Sequence, residues 1–136
     1  MRKAEKTIEK DLFRLVKASP LAQMVSGSVY RDGMRPDDSK QEDIVVSFLS
    51  GTEGQIQSGI IALNIYVPNI SQLGSERKVE NTARVEELEE AIIAFVDGCT
   101  DTEYWYEFDE TMQSLDVDEI DQHAIYARIH YQRLNS

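Results

Sequence analysis

Gly27-Ser-Val-Tyr30, Glu42-Asp-Ile-Val-Val-Ser-Phe-Leu49 and Gln57-Ser-Gly-Ile-Ile-Ala-Leu-Asn-Ile-Tyr-Val67 are three extended runs closed off by Pro68, and their reading decides the fold. In the second run Ile44, Val46 and Phe48 fall on one face and Val45, Ser47 and Leu49 on the other. Apolar groups on both faces mark a central strand. The third run places Ile61, Leu63, Ile65 and Val67 on one face and Ile60, Ala62, Asn64 and Tyr66 on the other. Ser50-Gly-Thr-Glu-Gly54, with its two glycines, is a short turn that joins the two runs as a hairpin. Before them, Asp32-Gly33 and Arg35-Pro36 are turn dipeptides, so the chain between Arg31 and Gln41 reads as a loop.

Outward from this core, Ala4 to Lys17 repeats Ile8, Leu12, Leu15 and Val16 at helical spacing among Lys and Glu, which predicts an amphipathic helix. Ser19-Pro20 ends it and starts a short helical piece over Leu21 to Val25. Pro68 to Glu80 has no apolar period and reads as a surface connection. A second helix is expected from Lys78 or Asn81 to Asp97, burying Val85, Leu88, Ile92, Phe95 and Val96 and wetting Glu86, Glu87, Glu89 and Glu90, with Gly98 as a left-handed stop. Tyr104 to Phe108 and His123 to Arg133 alternate as strands, and Asp116 to Asp121 reads as a solvated turn between them. The expected fold is α+β, a mostly antiparallel sheet with two main helices on one face, in the order α-β-β-β-α-β-β. Its hairpins need no parallel crossover. A ferredoxin-like sandwich is the alternative.

The 136 residues suit one domain, over residues 1–136. The longest apolar runs are too short for a membrane span, and the charged Met1 to Lys10 segment does not read as a signal peptide, so a cytoplasmic protein is expected. A single cysteine, Cys99, fits a reducing compartment. Net charge is −11 and uneven: six basic residues face three acidic ones from Arg2 to Lys17, whereas Asp97 to Asp121 holds ten acidic residues and no Lys or Arg. That balance opposes binding to nucleic-acid phosphates, and an acidic surface also serves solubility alone.

No pattern of reactive residues stands out. His123 and His130 lie seven residues apart in one strand and so project to opposite faces. Cys99 has no flanking nucleophile signature. Asp116-Val-Asp118-Glu119-Ile-Asp121 lacks the glycine of a calcium loop and has Ala127 where its closing glutamate belongs. Gly51 and Gly54 are not followed by the Lys-Ser or Lys-Thr of a phosphate loop, and Ser26, Ser28 and Ser47 have no nucleophile-elbow context. Tyr104, Trp105, Tyr106 and Phe108 would make a base-stacking platform, but Asp101, Glu103, Glu107, Asp109 and Glu110 around them repel phosphate, which favours core packing or a protein contact. No catalytic, metal or cofactor-binding residue is assigned, and no cofactor is expected.

Gly27-Ser-Val-Tyr30, Arg35-Pro36, Glu42-Asp-Ile-Val-Val46, Gln57-Ser-Gly59 and Asn64-Ile-Tyr-Val67, in that order, resemble the tail-terminator (tail-completion or neck) proteins of long-tailed bacteriophages and prophages. The resemblance implies a small non-enzymatic α+β subunit that forms a homo-hexameric ring, caps the tail tube and joins tail to head, with DNA passing through its opening. It implies tail-tube and head-neck proteins as partners, and a place in the virion and, during assembly, in the host cytoplasm. Such a ring needs loops offered to neighbouring copies. The loop Arg31 to Gln41 and the connection Asn69 to Arg77 are the candidate contacts, with Arg31, Arg35 and Lys40 set to pair with Asp116 and Asp118 of an adjacent copy. Alternatives are a head-closure or adaptor protein of the same neck, or a small cytoplasmic ligand-binding domain or enzyme.

Overall fold

Ile8, Leu12 and Val16 recur every four residues and form the buried stripe of helix α1 (Glu5–Lys17) in the computed structural model, which describes residues 2–100 and 102–134. Pro20 opens the short helix α2 (Pro20–Met24), where its missing N–H is no loss. Helix α3 (Thr82–Gly98) buries Val85, Leu88, Ile92 and Val96, and Asn81 caps its start by accepting a hydrogen bond from the Arg84 N–H at 3.3 Å. Phe95, expected in the stripe, is partly buried against the same core. Gly98 does not adopt the expected left-handed conformation. The helix runs through it and ends at Cys99, whose N–H donates to the Val96 carbonyl at 3.2 Å.

The main sheet has the order β1-β2-β3-β8-β6, with β7 beside β8 next to β6. Its strands are β1 (Val29–Arg31), β2 (Asp43–Thr52), β3 (Ile56–Pro68), β6 (Tyr104–Phe108), β7 (Gln113–Val117) and β8 (Gln122–Leu134). Strands β2, β3 and β8 register as rungs: Ile44, Ile65 and Ile125; Val46, Leu63 and Ala127; Phe48, Ile61 and Ile129. These rungs and the apolar stripes of α1 and α3 belong to one hydrophobic cluster. Each Ile, Leu or Val buried in it contributes about 1.5–3 kcal/mol relative to exposure. The fold is α+β, with a mostly antiparallel sheet and its main helices on one face, as the alternation predicts.

Three local readings change. Strand β1 pairs with β2 in parallel, not as part of a hairpin, because the chain from Asp32 to Glu42 doubles back before β2 begins. The surface connection after Pro68 contains a two-stranded hairpin, β4 (Ile70–Ser71) with β5 (Lys78–Val79). The acidic turn is partly strand: Asp116 and Val117 end β7, one 3₁₀ turn spans Asp118–Ile120, and Asp121 takes the left-handed conformation (φ 57°) that leads into β8. Asp tolerates that conformation better than most residues.

A bulge between Phe48 and Ser50 shifts the register of β2 on β3 just before the two backbones meet closely at Gly59. At Gly59 a Cβ would lie 2.0 Å from the Ser50 carbonyl oxygen and 2.7 Å from the Gly51 Cα, so only glycine fits there.

Candidate functional site

Alternation leaves the second face of the sheet without helices. Val45, Ala62 and Ala124 are buried there but lie outside the main cluster, and Asn64 between them has a buried Oδ1 with no hydrogen-bond partner among the described residues. One end of this face is closed by the loop between β1 and β2. Its anchor is Arg35, whose Nε donates to Asp43 Oδ2 at 2.8 Å. One terminal nitrogen of Arg35 donates to Gln122 Oε1 at 3.0 Å and the Gln41 carbonyl at 3.2 Å, and the guanidinium stacks 4.0 Å above the Tyr66 ring. Asp43 also accepts from the Ser39 hydroxyl and, at 2.9 Å, from the Ser28 N–H. Burial alone would raise the Asp43 carboxyl, but the Ser39, Ser28 and Arg35 hydrogen bonds outweigh it and hold the group below the usual range. Gly27 makes this fit possible: a Cβ there would lie 1.9 Å from Asp43 Oδ1.

The other end is open. Ile56 and Leu134 are register partners and Trp105 pairs with the next outward residue of β8, Gln132. These three apolar side chains are 52%, 67% and 67% exposed. Trp105 points outward because Tyr104 and Tyr106, its neighbours in the alternation, are buried on the helix side, where their rings stack with centroids 5.3 Å apart. The edge of β6 is open as well. The Thr102 hydroxyl accepts from the Tyr104 N–H at 2.8 Å and donates to the Tyr104 carbonyl at 2.9 Å, so Tyr104 directs its backbone groups away from β8. By the two-residue repeat of an antiparallel ladder, Tyr106 and Phe108 direct theirs to the same edge.

A depression of about 830 Å³ lies beside this end, lined among others by Val96, Cys99, Tyr104, Trp105, Tyr106 and Leu134. The Tyr106 hydroxyl is buried there without a hydrogen-bond partner among the described residues, and burial pushes its ionisation far above the ordinary tyrosine value. Burial likewise raises the Cys99 thiol, which keeps it protonated and weakly nucleophilic at neutral pH. The carboxylates Asp97 and Glu103 are at this depression, and neither histidine lines it. Two of its lining residues, Glu103 and Arg133, belong to a polar brace. Arg133 donates to Glu103 Oε2 at 2.7 Å and to Gln57 Oε1 at 3.1 Å. Lys3 contacts both Glu103 and, at 2.7 Å, Asp11, which also accepts from the Tyr104 hydroxyl at 2.7 Å.

The charged contact candidates separate. Arg31 donates through Nε to Glu9 Oε1 at 2.8 Å and through a terminal nitrogen to the Lys6 carbonyl at 2.9 Å, and Arg35 anchors its own loop, so both guanidiniums are engaged within the chain. Lys40 is exposed on the loop. Asp116 and Asp118 are exposed near the start of β8, where a hydrogen bond that the protonated Asp118 donates to Asp116, together with the Asp116 charge, raises the Asp118 carboxyl. Among the described residues no ion pair joins Asp116 or Asp118 to Arg31, Arg35 or Lys40. His123 and His130 do project to opposite faces: His123 Nδ1 meets Asn69 Oδ1 at 2.6 Å, and His130 faces Glu107 at 3.5 Å. Among the described residues no group of three or more His, Cys, Asp or Glu is arranged to hold a metal ion, and no helix is long and apolar enough to cross a membrane.

Sequence reading missed the buried polar residues Glu9, Gln57, Gln122 and Arg133. Their shortest hydrogen bonds reach partners 22 to 83 positions away in the chain, which no local pattern marks. The exposed position of Trp105 was legible in its alternation with Tyr104 and Tyr106. No protein-family model matches the chain, and no curated protein matches it.

Proposed function

We propose that the protein is a structural subunit that assembles with copies of itself into a ring, in the manner of the phage tail-terminator proteins it resembles, to cap a tail tube and join it to the head. The observation that carries the reading is the helix-free sheet end, where Ile56, Trp105 and Leu134 stand together in water beside the open edge of β6. Apolar side chains gathered this way favour a protein partner, and an open strand edge accepts a further strand. With Arg31 and Arg35 engaged inside the chain, this end takes over the contact role first assigned to the basic loop. Lys40, Asp116 and Asp118 remain as exposed charges that tune the contact.

Trp105 is the chain's one tryptophan and so reports the contact directly. Its emission is expected to shift to the blue and to gain protection from iodide as concentration rises, and Leu134→Lys is expected to suppress both changes. A spectrum that stays that of exposed tryptophan throughout would remove the sheet end from the assembly.

A second reading has its own observation. The depression beside Cys99, with the unpartnered Tyr106 hydroxyl, has the dimensions and mixed lining of a small-molecule site. A metabolite co-purifying with the chain and displaced by Tyr106→Phe would favour it over the ring.

A further inference from the structure

The hairpin β4–β5 is a short arm that ends in an apolar knob. Ile70 pairs with Val79 and Ser71 with Lys78, the Gln72 N–H donates to the Arg77 carbonyl at 3.0 Å, and Gly74 (φ 78°) turns the tip. Leu73 is 102% exposed at that tip, with Ile70 half-exposed behind it. Lys78 is held by Asp121 of its own chain at 3.4 Å, whereas the Arg77 guanidinium meets no carboxylate among the described residues. Backbone hydrogen bonds preorder this leucine, which lowers the entropic cost of docking it elsewhere.

A matching receptor lies beside α3. Ile93, Phe108 and Met112 form the apolar floor of a second depression, about 490 Å³, whose rim carries Glu89, Glu110 and Thr111. Ile93 is 43% exposed there, on the solvent side of the helix. Glu89 meets no cation among the described residues, and burial, with Glu80 and Glu86 nearby, raises its carboxyl. Glu110 approaches Arg128 only at 3.8 Å. Among the described residues, the receptor therefore has apolar walls, an unpaired Glu89 and a Glu110 only loosely paired with Arg128, while the arm has an apolar tip and a guanidinium that meets no carboxylate. The full exposure of Leu73 shows that a chain does not fill the site with its own arm.

We propose that the arm of one copy docks on the next copy of this chain, Leu73 entering the depression between Ile93, Phe108 and Met112 and Arg77 meeting Glu89 and Glu110 at the rim. Arm and receptor are different surfaces, so the contact is heterologous and repeats head to tail, which is the geometry that closes a ring. This inference rests on the self-assembly reading and assigns its directional contact.

The test uses the full chain with Cys99→Ser. One variant adds Leu73→Cys and the other Ile93→Cys, and a short bis-maleimide is expected to cross-link their mixture into heterodimers while leaving each variant alone unlinked. Leu73→Ser is expected to raise the midpoint concentration of assembly by about tenfold or more, the loss of one buried leucine contact. Its melting temperature should not change, because the side chain touches nothing in the free subunit. Arg77→Glu is expected to weaken assembly, and Glu89→Arg in the same chain to restore it. Assembly that survives both Leu73→Ser and Arg77→Glu unweakened, without cross-linking, overturns arm docking and leaves the ring intact. A chain that stays monomeric at every concentration overturns both.

Discussion

Replacing Arg35 by methionine, which keeps the stem and removes the guanidinium, tests whether the loop between β1 and β2 belongs to its own chain or to a neighbour. Arg35 and Asp43 form a largely buried pair, their side chains 10% and 2% exposed. Breaking such a pair from one side leaves a carboxylate in low dielectric and typically costs about 3–5 kcal/mol. Here the Ser39 hydroxyl and the Ser28 N–H still serve Asp43, which argues for the lower end, while loss of the stack on Tyr66 adds roughly 1 kcal/mol. The expected loss is therefore about 3–4 kcal/mol, a large fraction of the roughly 5–15 kcal/mol that holds a domain. At about 4 °C per kcal/mol it lowers Tm by roughly 12–16 °C. Chemical denaturation and thermal melts at low concentration measure it, and Arg35→Met with Asp43→Asn should recover part of the loss. The sign with pH follows from Asp43. Its carboxyl is depressed in the fold, so its contribution is complete above the unfolded value of about 4 and is lost as pH falls through the lower folded value. The penalty of Arg35→Met should shrink over the same interval. Unchanged monomer stability with assembly abolished would refute this account and return Arg35 to a subunit contact.

Three further outcomes follow from single positions. Gly59→Ala places a methyl against the Ser50 carbonyl and should cost about 3 kcal/mol or more by denaturation, since backbone and not a side-chain tip must yield; a melt within a degree of wild type would show that the bulge relaxes freely. Tyr106→Phe removes a buried hydroxyl that has no partner among the described residues and is expected to leave stability unchanged or raise it by about 1 kcal/mol; a loss of that size would show that the hydroxyl is satisfied. Glu89→Gln, measured on the free subunit, should stabilise slightly at neutral pH, by no more than about 0.5 kcal/mol because solvent screens this partly exposed carboxylate. The folded carboxyl is raised, so its charge is unfavourable above the folded value, and the gain should vanish below about pH 4, where the carboxyl is protonated in both states. A gain that persists in acid would trace to something other than that charge.

The sheet was legible because its strands state both faces at once. Ile44, Val46 and Phe48 alternate with Val45 and Ser47 across β2, Ile61 to Val67 do the same across β3, and period two leaves no other register for the core. The helices were equally plain in Ile8, Leu12 and Val16 and in Val85, Leu88 and Ile92. What was not legible depends on distant pairing. The parallel course of β1 follows from a loop held down by Arg35 on Gln122, which are 87 positions apart, and no local period carries that information. The same holds for Arg31, whose partner Glu9 sits next to Ile8 on α1 and is buried with it. Exposed Leu73 lay in a stretch with no period, and only the hairpin of the backbone makes it a tip. For the candidate site, the sequence offered the charges and the aromatic run, but the sorting of charges into those satisfied at home and those left over required the fold.

Sedimentation velocity across a wide concentration series most directly tests the claim that this chain is a scaffold for docking copies of itself. Monomer is expected to give way to one closed species of discrete mass, with Leu73→Ser and Leu134→Lys each moving the transition to higher concentration. Monomer at every concentration, or open-ended growth without a limiting mass, would contradict it.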